Sequence, residues 1–334
     1  MVSGTRNPEL YPLVFHPVFK ERVWGGRALE ALYGKALPPD VPIGESWEIS
    51  DRPGDESVVA SGPLAGQTLR RLMEERGREL IGDALAAAGD RFPILCKILD
   101  ARDTLSVQVH PPERPSGQLG DPKTEMWYIA AAEPEAELHV GLRRGVTREQ
   151  FERQIRSGEV AECLQRIPVR AGDSMFLPSG RVHAIGAGLV IFEIQQNSDT
   201  THRVFDWNRL GLDGRPRDLH IPESLASIDF SDVEPPLAGH QASTSGAFTI
   251  RPLVRDATFN VDLVRAGAQA ALPMQPPRLR IVANVDGGVT ISGGGRSESL
   301  APGQFCLVPA ALTDAALTAD AGAAFLMVEV GSRQ

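Results

Sequence analysis

The feature that most constrains this chain is an ordered run of glycine, proline and histidine near its middle. It reads Gly172-Asp-Ser-Met-Phe-Leu-Pro178-Ser-Gly180-Arg-Val-His183. The apolar triplet Met175, Phe176, Leu177 is a strand pattern. It enters a turn carrying Pro178 and Gly180, and His183 stands where the chain resumes. Upstream, Ser106-Val-Gln108-Val-His110-Pro sets two polar side chains two residues apart. On a strand both leave one face, and Val107 and Val109 leave the other. Fifteen residues after His110, the run Lys123-Thr-Glu125-Met-Trp-Tyr places a carboxylate at the head of strong strand formers. We read Gln108, His110, Glu125 and His183 as the ligands of one metal ion. Two imidazoles, a carboxylate and an amide oxygen form a borderline donor set that suits zinc.

The Gly172 to His183 pattern resembles the second motif of the cupin superfamily, and Gln-x-His followed by Glu resembles a variant of the first. Cupins usually carry a second histidine where Gln108 stands. That replacement, together with Leu105-Ser-Val-Gln-Val-His-Pro and Ser198-Asp-Thr-Thr-His-Arg203, resembles the type I phosphomannose isomerases in their short bacterial form. Trp24-Gly-Gly, Gly44-Glu-Ser-Trp-Glu and Glu193-Ile-Gln-Gln are similar to the same family. The resemblance covers most of residues 14 to 210.

The resemblance implies a mainly β fold, a cupin jelly-roll barrel with a few helices, and the reversible conversion of mannose 6-phosphate to fructose 6-phosphate. It carries over Lys97, Ser106, Lys123, Glu193, Asp199 and Arg203 as pocket residues. Arg203 would face the metal across the substrate and stabilise developing oxyanion charge, a role suited to a permanent cation. Lys97 and Ser106 are candidates for the phosphate, with Arg209 a further cation at the rim. Glu193, Lys123 and Asp199 are each chemically able to serve as the carbon base. Two other classes fit less of the pattern. A cupin dioxygenase or decarboxylase would not call for Gln108 in place of histidine. A non-catalytic phosphosugar-binding cupin would not need Lys97, Lys123 and Arg203 around the metal.

The chemistry of the donor set agrees with this. Glu125 is the only charged ligand, so a zinc site would carry a net charge of about +1 and favour an anionic ligand such as a phosphosugar. Zinc has no redox chemistry and would polarise a carbonyl or hydroxyl. Four of the 34 basic residues are lysines (Lys20, Lys35, Lys97 and Lys123), and two of those four flank the ligand motifs.

A net charge of −9 argues against a nucleic-acid or anionic-membrane surface. The chain has no run of 18 apolar residues and no apolar stretch near its start that reads as a secretory signal. Cys96, Cys163 and Cys306 are odd in number and widely spaced, which fits a reducing cytoplasm. Nothing in the sequence sets an oligomeric state.

At 334 residues, two domains are expected. The first spans residues 1 to 235, with helices near 66 to 88 and 147 to 166, the latter opened by the capping pattern Thr147-Arg-Glu-Gln150. The stretch from Leu212 to Gly246 is punctuated by proline and glycine, and Pro235-Pro236 with Ser243-Thr-Ser-Gly246 reads as a linker. A second, all-β domain of related type spans 246 to 334. Gly303 to Pro309 echoes Gly172 to Pro178, but Asp314 stands where His183 would, and the segment from Phe248 onward holds no histidine. One zinc per chain is therefore expected.

Overall fold

The computed structural model describes residues 9–85, 89–113, 119–274 and 278–331. The chain divides into two compact units, one of residues 19–47 and 95–238, the other of residues 1–18, 48–94 and 239–334.

The first unit is a two-sheet jelly roll. One sheet orders its six strands as Ser174–Leu177, Glu125–Ala132, Leu189–Gln196, Ile94–Ala101, Ile43–Ile49 and Val18–Gly26. The other orders five strands as His202–Phe205, Val107–Val109, His183–Ile185, Glu137–Leu142 and Leu164–Pro168. A single apolar cluster takes Trp24, Leu99, Trp127, Ile129 and Met175 from the first sheet and Leu138, Val140, Ile167 and Ile185 from the second. The two sheets therefore pack face to face around it.

The five-stranded sheet is covered on its outer face as well. Val107, Val109, Ala184 and Val204 join Phe151 and Leu225 in a second cluster, under the helices Arg148–Ser157 and Ile221–Ser227. The period-two alternation then leaves Gln108 and His183 facing inward, as the sequence predicts. Thr147 caps the first of these helices by accepting a hydrogen bond from the Gln150 N–H at 3.2 Å. That helix stops at Ser157, short of the expected Arg166. Gly158 takes the left-handed conformation (φ 77°) that closes it, and Leu164–Pro168 pairs with Glu137–Leu142 as a strand. The helix Ile221–Ser227 lies in the proline- and glycine-punctuated stretch, which through Ala238 belongs to this unit.

The second unit holds an eight-stranded and a four-stranded sheet. A single cut near residue 240 does not describe it. The N-terminal strand Leu13–His16 lies between two of its strands, with Leu13 paired to Leu307 and Phe15 to Val59. The helix Leu69–Ile81 and its following 3-10 turn Gly82–Ala84 belong here too. The Leu80 carbonyl accepts from the Ala310 N–H at 2.8 Å. Residues 86–88, the end of the expected helix, lie outside the described residues. The echoed motifs share their local shape. Gly172 and Gly303 each sit at positive φ (93° and 80°), a region glycine enters without steric cost. Each leads into a buried strand, Ser174–Leu177 or Phe305–Val308.

The outer cluster is what holds the ligand-bearing strands in register. Phe151 is fully buried there, edge-to-face with Phe230 at 5.8 Å. Phe151→Ala is expected to lower unfolding free energy by about 3–5 kcal/mol, read from denaturant midpoints and slopes. A loss below about 1 kcal/mol would mean that the cluster collapses around the gap and does not constrain the strands.

Candidate metal centre and active-site cavity

Three of the four expected ligands converge in the interior of the jelly roll. His110, Glu125 and His183 offer ligand atoms that all lie within 4.8 Å of one another, and all three residues are buried. His110 Nε2 is 3.3 Å from Glu125 Oε2, and His183 Nε2 is 3.5 Å from Glu125 Oε1. Each imidazole is aimed by its other nitrogen. His110 Nδ1 donates to the Thr200 carbonyl at 2.9 Å and His183 Nδ1 to the Arg181 carbonyl at 3.0 Å. That leaves a lone pair on each Nε2, pointed at a carboxylate that also has only lone pairs. His110 Nε2 and Glu125 Oε1 are buried without a hydrogen-bond donor. A set of converging buried acceptors calls for a cation, and this donor set fits a metal ion.

Gln108 is adjacent but turned. Its Nε2 donates to His183 Nε2 at 3.2 Å, while its Oε1 accepts from Ser106 Oγ at 3.3 Å. A half-turn of the amide would present Oε1 to the same point. The glycine turn serves the site directly, since the Gly180 N–H donates to the His110 carbonyl at 2.9 Å. One motif thus positions a ligand that belongs to the other.

Above the ligands lies a cavity of about 570 Å³. Of the sequence candidates, Lys97, Ser106, Gln108, Lys123, Glu193, Asp199 and Arg203 line it. Arg209 does not. Its guanidinium donates to Asp206 Oδ1, to Asp103 Oδ2 and to the Thr104 carbonyl, which turns it into the frame of the loop. Arg203 lies opposite Gln108 in the strand register, on the same face. It is held by the Asp218 carbonyl, which accepts from Nη1 at 2.8 Å. Residues not singled out as catalytic or binding candidates also form the wall, among them Arg22, Glu45 and Arg217. Glu45 stands in the Gly44-Glu-Ser-Trp-Glu motif. Arg217 lies beyond the motifs, in the proline- and glycine-punctuated stretch that follows them.

A family model for the phosphomannose isomerase type I catalytic domain matches residues 13–143. Mannose-6-phosphate isomerase ManA of Bacillus subtilis is 40% identical over 287 residues, covering 84% of this chain and 88% of that protein. The chain belongs to the type I phosphomannose isomerase family. The putative mannose-6-phosphate isomerase YvyI of the same organism is 35% identical, with 91% and 94% of the two chains covered. The crystal structure of the Bacillus subtilis mannose 6-phosphate isomerase superposes with a TM-score of 0.86 at 31% identity, over 96% of this chain and all of that one. The cupin jelly roll expected from the motifs is the fold observed.

The electrostatics of the centre follow from burial. Burial alone would raise the Glu125 carboxyl. The Lys123 ammonium, 3.0 Å away, overcomes that, and the carboxyl is held well below the usual carboxylate range. Burial pushes His183 down to about 3 despite the neighbouring Glu125. It pushes His110 down as well, with Lys123 acting in the same direction. Lys123 resists burial because Glu125, Glu193 and Asp199 surround it, so its pKa rises. Glu193 is raised, first by burial and then by Glu125, although Lys123 and Lys97 pull it down. Both imidazoles are thus neutral and ready to ligate at neutral pH.

These shifts predict the pH response of the metal-stripped protein. A histidine titrates near pH 6.5 when unfolded and His183 near 3 when folded. Between those values the unfolded chain binds more protons, so stability rises with pH and is lost as pH falls below about 6.5. Unfolding free energies at pH 7 and pH 5 should show the loss, and His183→Gln should reduce it. A stability that is flat over this window in the unsubstituted chain would contradict the buried neutral imidazoles.

Proposed function

We propose that the protein interconverts mannose 6-phosphate and fructose 6-phosphate, with one zinc ion per chain held by Gln108, His110, Glu125 and His183. The observation that carries this reading is the convergence of two imidazole lone pairs and the Glu125 carboxylate beneath a cavity walled by Lys97, Lys123 and Arg203. Zinc in that position would supply Lewis acidity toward oxygens on the two carbons that exchange oxidation state.

The chain's own groups do the rest. An aldose-to-ketose conversion takes a proton from C2 and returns one to C1, passing through an enediol or enediolate. Lys123 remains an ammonium because it is tied to Glu125, so it serves as a fixed positive charge. Glu193 is the proton carrier in this scheme. Its carboxylate is aimed by the Trp127 indole, which donates to Oε2 at 3.1 Å, and by Lys97 at 3.4 Å from Oε1. A carboxyl raised toward neutrality is suited to accepting and returning one proton. Asp199, on the same wall, helps keep Lys123 charged. Arg203, opposite Gln108, supplies positive charge where the enediolate gains negative charge. Ser106 steadies Gln108 through its hydroxyl. Lys97 acts as the counter-charge of Glu193 and Glu45, which lie 3.4 and 3.7 Å from its ammonium.

A coupled assay for fructose 6-phosphate tests the activity. Turnover should vanish with chelator, return with zinc, and proceed equally without oxygen, with elemental analysis giving one zinc per chain. Oxygen uptake coupled to turnover, or two metals per chain, would remove the proposal. Arg203→Ala should lower kcat by about 10²–10³ with zinc content unchanged. Arg203→Lys should recover only part, since an ammonium lacks the planar fork. A loss confined to KM would instead make Arg203 a phosphate ligand.

A further inference from the structure

The substrate's phosphate lies at the end of the sugar remote from the reacting carbons. A group that reads it should stand on the cavity wall away from the His110–Glu125–His183 centre, carry positive charge, and keep donors free. Among the described residues, the cations on the wall are Arg22, Lys97, Lys123, Arg203 and Arg217. Lys123 is committed to Glu125, and Lys97 to Glu45 and Glu193. Arg22 donates to Glu45 Oε1 at 2.7 Å, and Glu21 and Glu45 both line the cavity beside it, which makes that side unfavourable for a dianion. Arg203 sits in register with Gln108, close to the centre.

Arg217 is different. Its Nε and Nη2 donate to Asp206 Oδ2 and Oδ1 at 2.6 and 2.5 Å, a two-point grip that sets the plane of the guanidinium. Its Nη1 makes no hydrogen bond among the described residues. Asp206 is buried, 5% exposed, and the same carboxylate also accepts from Arg209 Nε and Nη2 at 3.1 and 2.9 Å. Asp206 thus clamps both ends of the loop that runs from Trp207 to Asp218, in which Gly211, Leu212 and Asp213 complete the wall. Asp213 turns its Oδ1 to the Arg215 N–H at 3.0 Å. Two guanidiniums, those of Arg209 and Arg217, share this one buried carboxylate. Burial and the nearby Arg217 both push the Arg203 guanidinium down, the mark of like charges held together. An anion bound at Arg217 would relieve that repulsion.

We infer that Arg217, oriented by Asp206, is the residue that reads the phosphoryl group of the sugar substrate. Arg209 shares the Asp206 carboxylate and has a positioning role. The inference rests on the phosphosugar reading above. Arg203 would then act near the reacting carbons and Arg217 at the far end, one ligand spanning the two.

The test is Arg217→Ala in the zinc-loaded protein. A charge-assisted hydrogen-bonded contact is worth about 1.5–3 kcal/mol, so KM for mannose 6-phosphate and the inhibition constant of inorganic phosphate should each rise about 10- to 100-fold. The loss should fall on KM, with kcat moved less than about threefold. Arg217→Lys, which keeps the charge and the Asp206 partner, should lose less than Arg217→Ala, and it serves if the alanine variant does not fold. Unchanged KM, or a loss in kcat alone, would overturn the assignment. Calorimetric titration with inorganic phosphate scores it independently of turnover. Binding lost in the variant supports it, and equal binding, or none in the unsubstituted protein, refutes it. Failure of the unsubstituted protein to turn over mannose 6-phosphate would count against the isomerase reading alone.

Discussion

Everything at the centre of this molecule depends on one buried carboxylate. Glu125 is fully buried, and a lone carboxylate there would be neutralised by its surroundings. Instead Lys123 stands 3.0 Å away and holds it ionised. The two histidines cannot share that task as cations, because burial keeps them neutral. The result is a negative charge flanked by two imidazole lone pairs, with hydrogen-bonding demand that protein groups leave unmet on His110 Nε2 and Glu125 Oε1. Such an arrangement persists because the two sheets around it over-determine it, and it is a site prepared for a metal ion.

That over-determination is visible in the ladder. His183 pairs with Gln108 on one side and Val140 on the other, and Gln108 pairs with Arg203. Residues directly opposite share a face, so Arg203, Gln108 and His183 form one row across three strands. A slip of one residue in the Val107–Val109 strand would turn Val109 into the cavity and Gln108 into the helical cover. The outer apolar cluster around Phe151 opposes that slip, since Val107, Val109 and Ala184 are committed to it. The geometry of that inner row is therefore set by apolar packing on the outer face.

This explains what could be read from the sequence and what could not. The convergence of His110, Glu125 and His183 was legible because strand alternation and a glycine turn are local patterns, and both survive in the structure. The partners of the Leu13–His16 strand, Leu307 and Val59, are set by non-local pairing, which no local pattern encodes. The helix Ile221–Ser227 was hidden by Pro222, read as a loop signal, although proline is well tolerated in a first helical turn. The role of Arg209 was misplaced for a similar reason. Arg209 and Arg217 look alike in sequence, and only the geometry around Asp206 separates the one that braces the loop from the one that faces the cavity.

The division between lysine and arginine in the cavity follows from the same physics. Lys97 and Lys123, two of the four lysines in the chain, are 3% and 5% exposed, and both lie against carboxylates. The Lys97 ammonium also sits 4.8 Å from the centre of the Trp47 ring, with Glu45 and Glu193 on either side. Each is a compact charge that can be closed off from water by one or two partners. Arg217 stands where the wall opens, with its side chain 23% exposed, and spends part of its fork on one carboxylate while keeping the rest. A compact ammonium sunk among carboxylates sets the charge of a neighbouring acid, whereas a fork with spare N–H groups can grip an anion that comes and goes. The charge of the cavity is thus graded from ammoniums fixed among carboxylates beside His110, Glu125 and His183 to a part-exposed guanidinium at Arg217, an order that suits the proposed entry of a sugar phosphate with its reacting carbons leading.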